Sequence, residues 1–187
     1  LRKIRSLLTV GATYRLGTSL KGDYVRYAYT SVGDQKDTVF YNTQGRAPLK
    51  IADEIGVGVS YRHKGKWLLG FDYIRQDWTK SDFAVNDAAR FEPMVSQSYR
   101  LGFELVPNKY DIRYYHKRMA YRLGAYYDQS YISFNGKQVD SFGLTFGTSL
   151  PIYKWYNAVS VAVDMGQRGM KREQLVRERY INFIVNI

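Results

Sequence analysis

The chain has 187 residues, with 28 Lys and Arg against 17 Asp and Glu for a net charge of +11, and 16% of it is aromatic. It has no cysteine, which excludes disulfides and thiolate metal sites. Mean hydropathy is −0.42 and no apolar run approaches the ~18–20 residues of a membrane helix, but membrane-crossing strands escape such averages because half their residues face a polar interior.

The segments alternate from the start. Leu8, Val10, Ala12 and Tyr14 alternate with Thr9, Gly11, Thr13 and Arg15, the period of a strand with two different faces. Past a short link near 16–20, Val25, Tyr27 and Tyr29 alternate with Tyr24, Arg26 and Ala28, and a long polar link covers 31–53. Residues 54–73 read EIGVGVSYRHKGKWLLGFDY, a hairpin whose arms place large apolar residues on one face over a His63-Lys64-Gly65-Lys66 turn. A long link at 77–95 leads to Tyr99, Leu101, Phe103 and Leu105, set against Ser98, Arg100, Gly102 and Glu104. Beyond an intermediate link at 107–117, Met119, Tyr121, Leu123, Ala125 and Tyr127 alternate with Ala120, Arg122, Gly124, Tyr126 and Asp128. A longer link at 129–141 precedes Phe142, Leu144 and Phe146, and a short one at 151–156 precedes Val159, Val161, Val163 and Met165. The long link 167–177 leads to Ile181, Phe183, Val185 and Ile187. The pattern predicts an all-β chain of about nine antiparallel strands with no amphipathic helix.

Two features separate a membrane barrel from a soluble sandwich. The polar face is rich in glycine (Gly11, Gly56, Gly58, Gly70, Gly102, Gly124, Gly143, Gly147 and Gly166), which lets a sheet coil and also leaves space on that side. Short and long links alternate, as in an antiparallel transmembrane β-barrel with tight turns at one end and long loops at the other. Residues 62–66 and 151–156 are expected at the first end, and 31–53, 77–95 and 167–177 at the second. Val57, Val59, Leu69, Phe71, Leu101, Phe103, Leu123, Val161, Val163 and Phe183 are expected to meet lipid, with Arg100, Glu104, Arg122 and Asp164 on the opposite face. Tyr14, Tyr29, Tyr61, Trp67, Trp78, Tyr115, Trp155, Tyr156 and Tyr180 are expected near the head-group boundary. The localisation that follows is a multi-pass protein of the outer membrane.

Arg15, Arg26, Asp72, Arg100, Glu104, Arg122, Asp128 and Asp164 form an inward charged set. Its members are expected to pair across strands. The alternative is a ligand-binding lumen, in which Arg15, Arg26, Arg100, Glu104, Arg122 and Asp128 receive the head group of an otherwise hydrophobic small molecule. The link 167–179 (QRGMKREQLVRER) carries Arg168, Lys171, Arg172, Arg177 and Arg179, suited either to lipopolysaccharide phosphates beside outer-membrane lipids or simply to water. The basic residues are too scattered for a nucleic-acid face. His63 and His116 both fall at turns, with no serine or carboxylate positioned for catalysis beside them, so neither an enzyme nor a cofactor is expected.

The segments DEIGVGVSYRHKGKWLLGFDYIRQDW, SYRLGFELVPN and RLGAYYDQSYISFNGKQVDSFGLTFGTSLPI resemble the C-terminal portion of FadL-type outer-membrane proteins, a likeness running from about Leu7 to the end. The resemblance implies a monomeric 14-stranded barrel that passes long-chain fatty acids and other hydrophobic compounds by passive diffusion. It makes this chain the C-terminal part of one barrel domain, without the N-terminal hatch and first strands. The competing expectation is a structural or interaction barrel whose loops 31–53 and 77–95 bind a partner protein or surface.

Overall fold

Successive side chains on extended backbone point to opposite faces, so strict alternation of large apolar with small or polar residues commits a segment to a two-faced strand. The computed structural model describes residues 6–22, 26–32, 35–42, 47–81, 91–134, 136–153, 157–169 and 176–186. Its strands are β1 (Ser6–Arg15), β2 (Ser19–Gly22), β3 (Arg26–Val32), β4 (Gln35–Asn42), β5 (Ala47–Lys50), β6 (Glu54–His63), β7 (Trp67–Asp77), β8 (Phe91–Pro93), β9 (Val95–Leu105), β10 (Ala120–Phe134), β11 (Lys137–Tyr153), β12 (Asn157–Arg168) and β13 (Glu178–Asn186). A short 3-10 turn, Tyr115–Lys117, is the one helical element among the described residues.

The main sheet runs β1-β6-β7-β9-β10-β11-β12-β13, antiparallel throughout, with β8 annexed to the far end of β10. The hairpin of β6 and β7 closes where Lys64 and Gly65 take φ of 50° and 66°, the left-handed pair of a type I′ turn, and Lys66 N–H donates to His63 O at 2.9 Å. That turn, the 106–119 link and the paired residues Tyr153 and Asn157 share one end of the sheet. The excursion between Arg15 and Glu54, the chain after Asp77, the Gly136 turn and the chain after Arg168 share the other. The described ends of links 62–66 and 151–156 lie at the first end and those of 31–53, 77–95 and 167–177 at the second, as expected, although the short stretch 16–20 and the Gly136 turn also lie at the second.

Two expectations are corrected. β1 pairs directly with β6, Arg15 opposite Glu54, so the strand expected around Tyr27 and Tyr29 does not lie between them, and Val25 falls outside the described residues. Instead β3 pairs with β4 and β2 with β5 in two small separate sheets, and no short turn at 16–20 joins neighbours of the main sheet. The physical reason lies at the base of the excursion. Asp53 Oδ1 accepts Gly17 N–H at 2.6 Å and Thr18 O accepts Ile51 N–H at 2.7 Å, drawing the two ends together. The second correction is at 129–141, which is no long link: β10 and β11 run on past the apolar belt to a tight turn at Gly136, with a register shift between Gln129 and Ser133.

Cross-strand register puts Val10, Val59, Phe71, Leu101, Ala125, Leu144, Met165 and Ile181 in one row, so a single apolar face runs across all eight strands of the path. Arg100, Glu104, Arg122 and Asp164 lie on the opposite face, one residue out of phase. The apolar face is uncovered: Phe103 is 38% and Phe183 78% exposed, and Ala52 is the one buried hydrophobic residue among those described. A sandwich would bury that face against a second sheet. Here none of the described residues does so.

Candidate functional site

The polar face gathers most of the charged residues singled out in the sequence and pairs several of them, although Asp72, directly opposite Arg100, forms no ion pair with it. Arg122 Nε donates to Glu104 Oε2 at 2.7 Å and Arg122 Nη1 to Ser149 Oγ at 2.6 Å, while Ser149 and Ser160 hydroxyls lie 2.7 Å apart. Arg100 stands 3.9 Å from Asp128, which also accepts the Ser98 hydroxyl. Arg15 reaches Glu54 at 3.4 Å, and Gln76 Nε2 donates to the same carboxylate at 2.6 Å. Register made these pairs, since Glu104 faces Arg122 and Arg15 faces Glu54 directly across the ladder. Arg26 falls on β3, outside the main sheet.

The glycine-rich stripe has a specific use at two positions. Tyr126, Gly143, Gly166 and Tyr180 lie opposite one another on four consecutive strands. The two tyrosine rings lean inward over the two glycines until their hydroxyls meet, and Tyr126 also donates to Asp164 at 3.1 Å. A Cβ on Gly143 would collide with the Tyr126 ring, and one on Gly166 with the Tyr180 ring. Nothing in the one-dimensional pattern marks this row; it appears only when register is known. Beside it the face opens as a groove of about 710 Å³ past Gly70, Gly102 and Gly124.

On the apolar face, two aromatic rows bracket the aliphatic belt. Tyr73, Tyr99 and Tyr127 stand on three adjacent strands, with ring centroids 4.9 Å and 6.2 Å apart along the row. Gln97 accepts both Tyr73 and Tyr99 hydroxyls, and Asp140 accepts that of Tyr127 at 2.9 Å. At the turn end Tyr61, His63 and Trp67 cluster, Tyr61 and Trp67 at 5.2 Å, and Tyr121 donates to His116 O at 3.0 Å. Tyr61 and Trp67 were legible in the sequence, whereas Tyr73, Tyr99 and Tyr127 were missed. Tyr180 lies on the polar face instead, and Tyr29 in β3 is off the main sheet. Trp78 stacks on Tyr131 at 4.9 Å, while Trp155 and Tyr156 fall outside the described residues.

Of the basic link, Arg168 lies at the end of β12, Arg177 is exposed, and Arg179 donates to Gln167 at 3.4 Å. Lys171 and Arg172 fall outside the described residues. No group of three or more His, Cys, Asp or Glu among the described residues is placed to hold a metal ion.

Comparison with protein families decides between the expectations. The BamG family model matches residues 3–187. The chain belongs to the BamG family. Neither a curated protein nor a solved structure matches it. The name BamG points to a component of the BAM complex, which overturns the FadL-type resemblance and with it passive transport of fatty acids. The partners drawn from that resemblance, a hydrophobic small molecule and lipopolysaccharide or other outer-membrane lipids, give way to protein partners. The resemblance misled because hairpin tips and alternation belong to two-faced antiparallel strands in general. BamG membership makes this an outer-membrane-associated protein. Of the two functional expectations, binding of a protein partner lies nearer to a complex subunit than transport does.

Proposed function

We propose that this BamG-family chain forms wall strands of an outer-membrane β-barrel and serves outer-membrane protein assembly as a subunit of the BAM complex, without catalysing a reaction itself. Family membership across residues 3–187 carries the assembly role. The membrane placement has its own support in the uncovered apolar face and its two aromatic rows. Those rows are separated by the six-residue steps from Trp67 to Tyr73 and from Tyr121 to Tyr127. At ~3.3 Å per residue that is roughly 20 Å along the strand, close to the ~25 Å apolar band of an outer-membrane barrel once tilt and ring width are allowed for. Tyrosine suits the rim, its ring towards hydrocarbon and its hydroxyl towards water. The strands are then multi-pass spans, and the paired charges of the polar face line the interior.

The test uses the full-length protein. Tagged and solubilised from outer membranes, it should co-purify with BAM subunits, and its depletion should lower the yield of newly assembled outer-membrane barrels. Undiminished barrel assembly after depletion, with no BAM subunit in the eluate, would overturn the reading.

A further inference from the structure

The turn end of the sheet carries a surface that neither the paired lumen charges nor the family match explains. Residues 62–66 and 106–119 together hold seven Lys and Arg against a single Asp, so this end is strongly basic over a short stretch of chain. The one acidic residue is already engaged, Asp111 with Lys117 at 3.8 Å. Nearby Glu104 is likewise taken by Arg122 at 2.7 Å. Among the described residues, Arg62, Lys64, Lys66 and Arg118 form no ion pair. They border a cleft of about 610 Å³ on the polar side of the sheet end, floored by Glu104 and Ser149. Arg118 lies over the Tyr115 ring at 5.1 Å, yet its Nε is buried without a hydrogen-bond acceptor.

The cleft is built rather than incidental. Val106 N–H donates to Lys66 O at 2.6 Å and Asn108 N–H to Lys117 O at 2.8 Å, tying the 106–119 link to the hairpin turn and to itself. Tyr115 OH donates to Pro151 O at 2.9 Å and anchors the same link to β11. At its tip Ile112 is 100% exposed, an apolar side chain that this fold does not use.

We propose that this cleft docks an acidic segment of a BAM protein partner, whose carboxylates meet Lys66 and Arg118 while an apolar side chain elsewhere in the segment packs on Ile112, at the tip of the same link. The inference rests on the assembly reading above and names where on the chain that contact is made. A protein segment fits better than lipid head groups, because the cleft opens on the side of the sheet away from the apolar face. It fits better than free phosphate because Ile112 has no use for one. Charge-assisted pairs from a preorganised basic cleft confer specificity and fast association.

The test places a photo-crosslinking residue at position 112, and separately at 64, in the full-length protein in cells, and identifies the attached peptide by mass. Both positions should attach to one segment of a BAM subunit with a surplus of Asp and Glu. Lys66→Glu with Arg118→Glu should lower that yield about tenfold, as expected for losing close charge pairs. Arg177→Glu with Arg179→Glu at the opposite end should leave it unchanged. Heat-modifiable mobility in gels verifies that each variant still folds, and Arg118→Gln, which removes charge with little change of shape, should give an intermediate loss. Attachment to lipid, attachment to a segment without acidic surplus, or a yield indifferent to the charge reversals would overturn the proposal. In those cases co-purification of the unmodified protein with the BAM complex still stands or falls separately, so the docking site and the assembly role fail by different signs.

Discussion

The two faces of one strand make the sharpest comparison in this molecule. Phe103 and Glu104 are neighbours on β9, yet one stands in an uncovered apolar belt and the other holds Arg122 at 2.7 Å. Along the apolar face the side chains interact mainly by bulk, with tyrosines only at the rims. Across the polar face Arg15, Arg100 and Arg122 each stand against a carboxylate, and two glycines leave the space that two tyrosine rings fill. One backbone carries two unlike faces, and a shift of strand phase by one residue would exchange them. The largest expected effect follows from that. Phe103→Arg should cost about 2–4 kcal/mol of stability in a bilayer, the cost of an arginine facing lipid near mid-depth. Glu104→Arg on the polar face should cost less, about 1–2 kcal/mol, because it gives up a half-exposed pair worth little and sets a second arginine opposite Arg122 where water screens the repulsion. Urea titration of protein folded into lipid vesicles reads both, and equal costs would mean the apolar face does not meet hydrocarbon.

The next effect tests how tightly the polar face is packed. Gly143→Val and Gly166→Val should each destabilise the sheet by about 1–3 kcal/mol, since the added atoms fall on the rings of Tyr126 and Tyr180. In a Tyr126→Ala background the Gly143→Val penalty should largely vanish, which a double-mutant cycle by denaturant titration would read. If the penalty persists without the ring, the glycine is needed for its backbone and not for the space it leaves.

That row also shows how far the sequence could be read. Period-2 alternation fixes the face of each residue, so the eight strands of the main path and the phase of Arg100 and Arg122 were legible from side-chain type alone. Register was not, because it depends on which residues end opposite one another after the loops close. Tyr126 and Gly143 are 17 positions apart in sequence and adjacent in space. Alternation also failed at Val25 to Tyr29, since a local hairpin alternates as well as a barrel strand does. What distinguished them was the closing of Gly17 on Asp53, a contact without periodic signature. The basic cleft was hidden for a similar reason: its residues come from two links that meet only at the end of the sheet.

A smaller effect separates paired charge from charge alone on the polar face. Arg122 and Glu104 side chains are 49% and 34% exposed, so water screens them even at 2.7 Å. Glu104→Gln should cost only about 0–1 kcal/mol and should make stability less sensitive to salt. A much larger loss, measured by the same vesicle titration at low and high ionic strength, would mean that the polar face is drier than its exposure implies.

The smallest expected effect lies in the 106–119 link, where, in contrast to both faces, a single carboxylate gathers the backbone amides at the tip. Asp111 accepts Tyr114 N–H at 2.7 Å and Arg113 N–H at 3.0 Å. The Tyr114 amide is the main reason its carboxyl sits below the ordinary value of 3.8; partial desolvation opposes the shift, and the Lys117 charge adds to it. A carboxyl lowered on folding contributes order that is complete at neutral pH and is lost as pH falls through its folded value. The link should therefore keep its shape from neutral pH down to about pH 4 and loosen only below that. Asp111→Ala removes the acceptor at every pH and should speed limited proteolysis within 106–119 a few-fold at pH 7, leaving the strands protected. Asp111→Asn keeps an acceptor oxygen and loses the charge, so it should fall between the two. Hydrogen exchange at Tyr114, compared between wild type and Asp111→Ala, should differ at pH 7 and converge in strong acid. No difference at pH 7 would mean that the link is held by Tyr115 on Pro151 and not by the carboxylate, and a difference that persists in strong acid would mean that the protonated carboxyl still accepts the two amides.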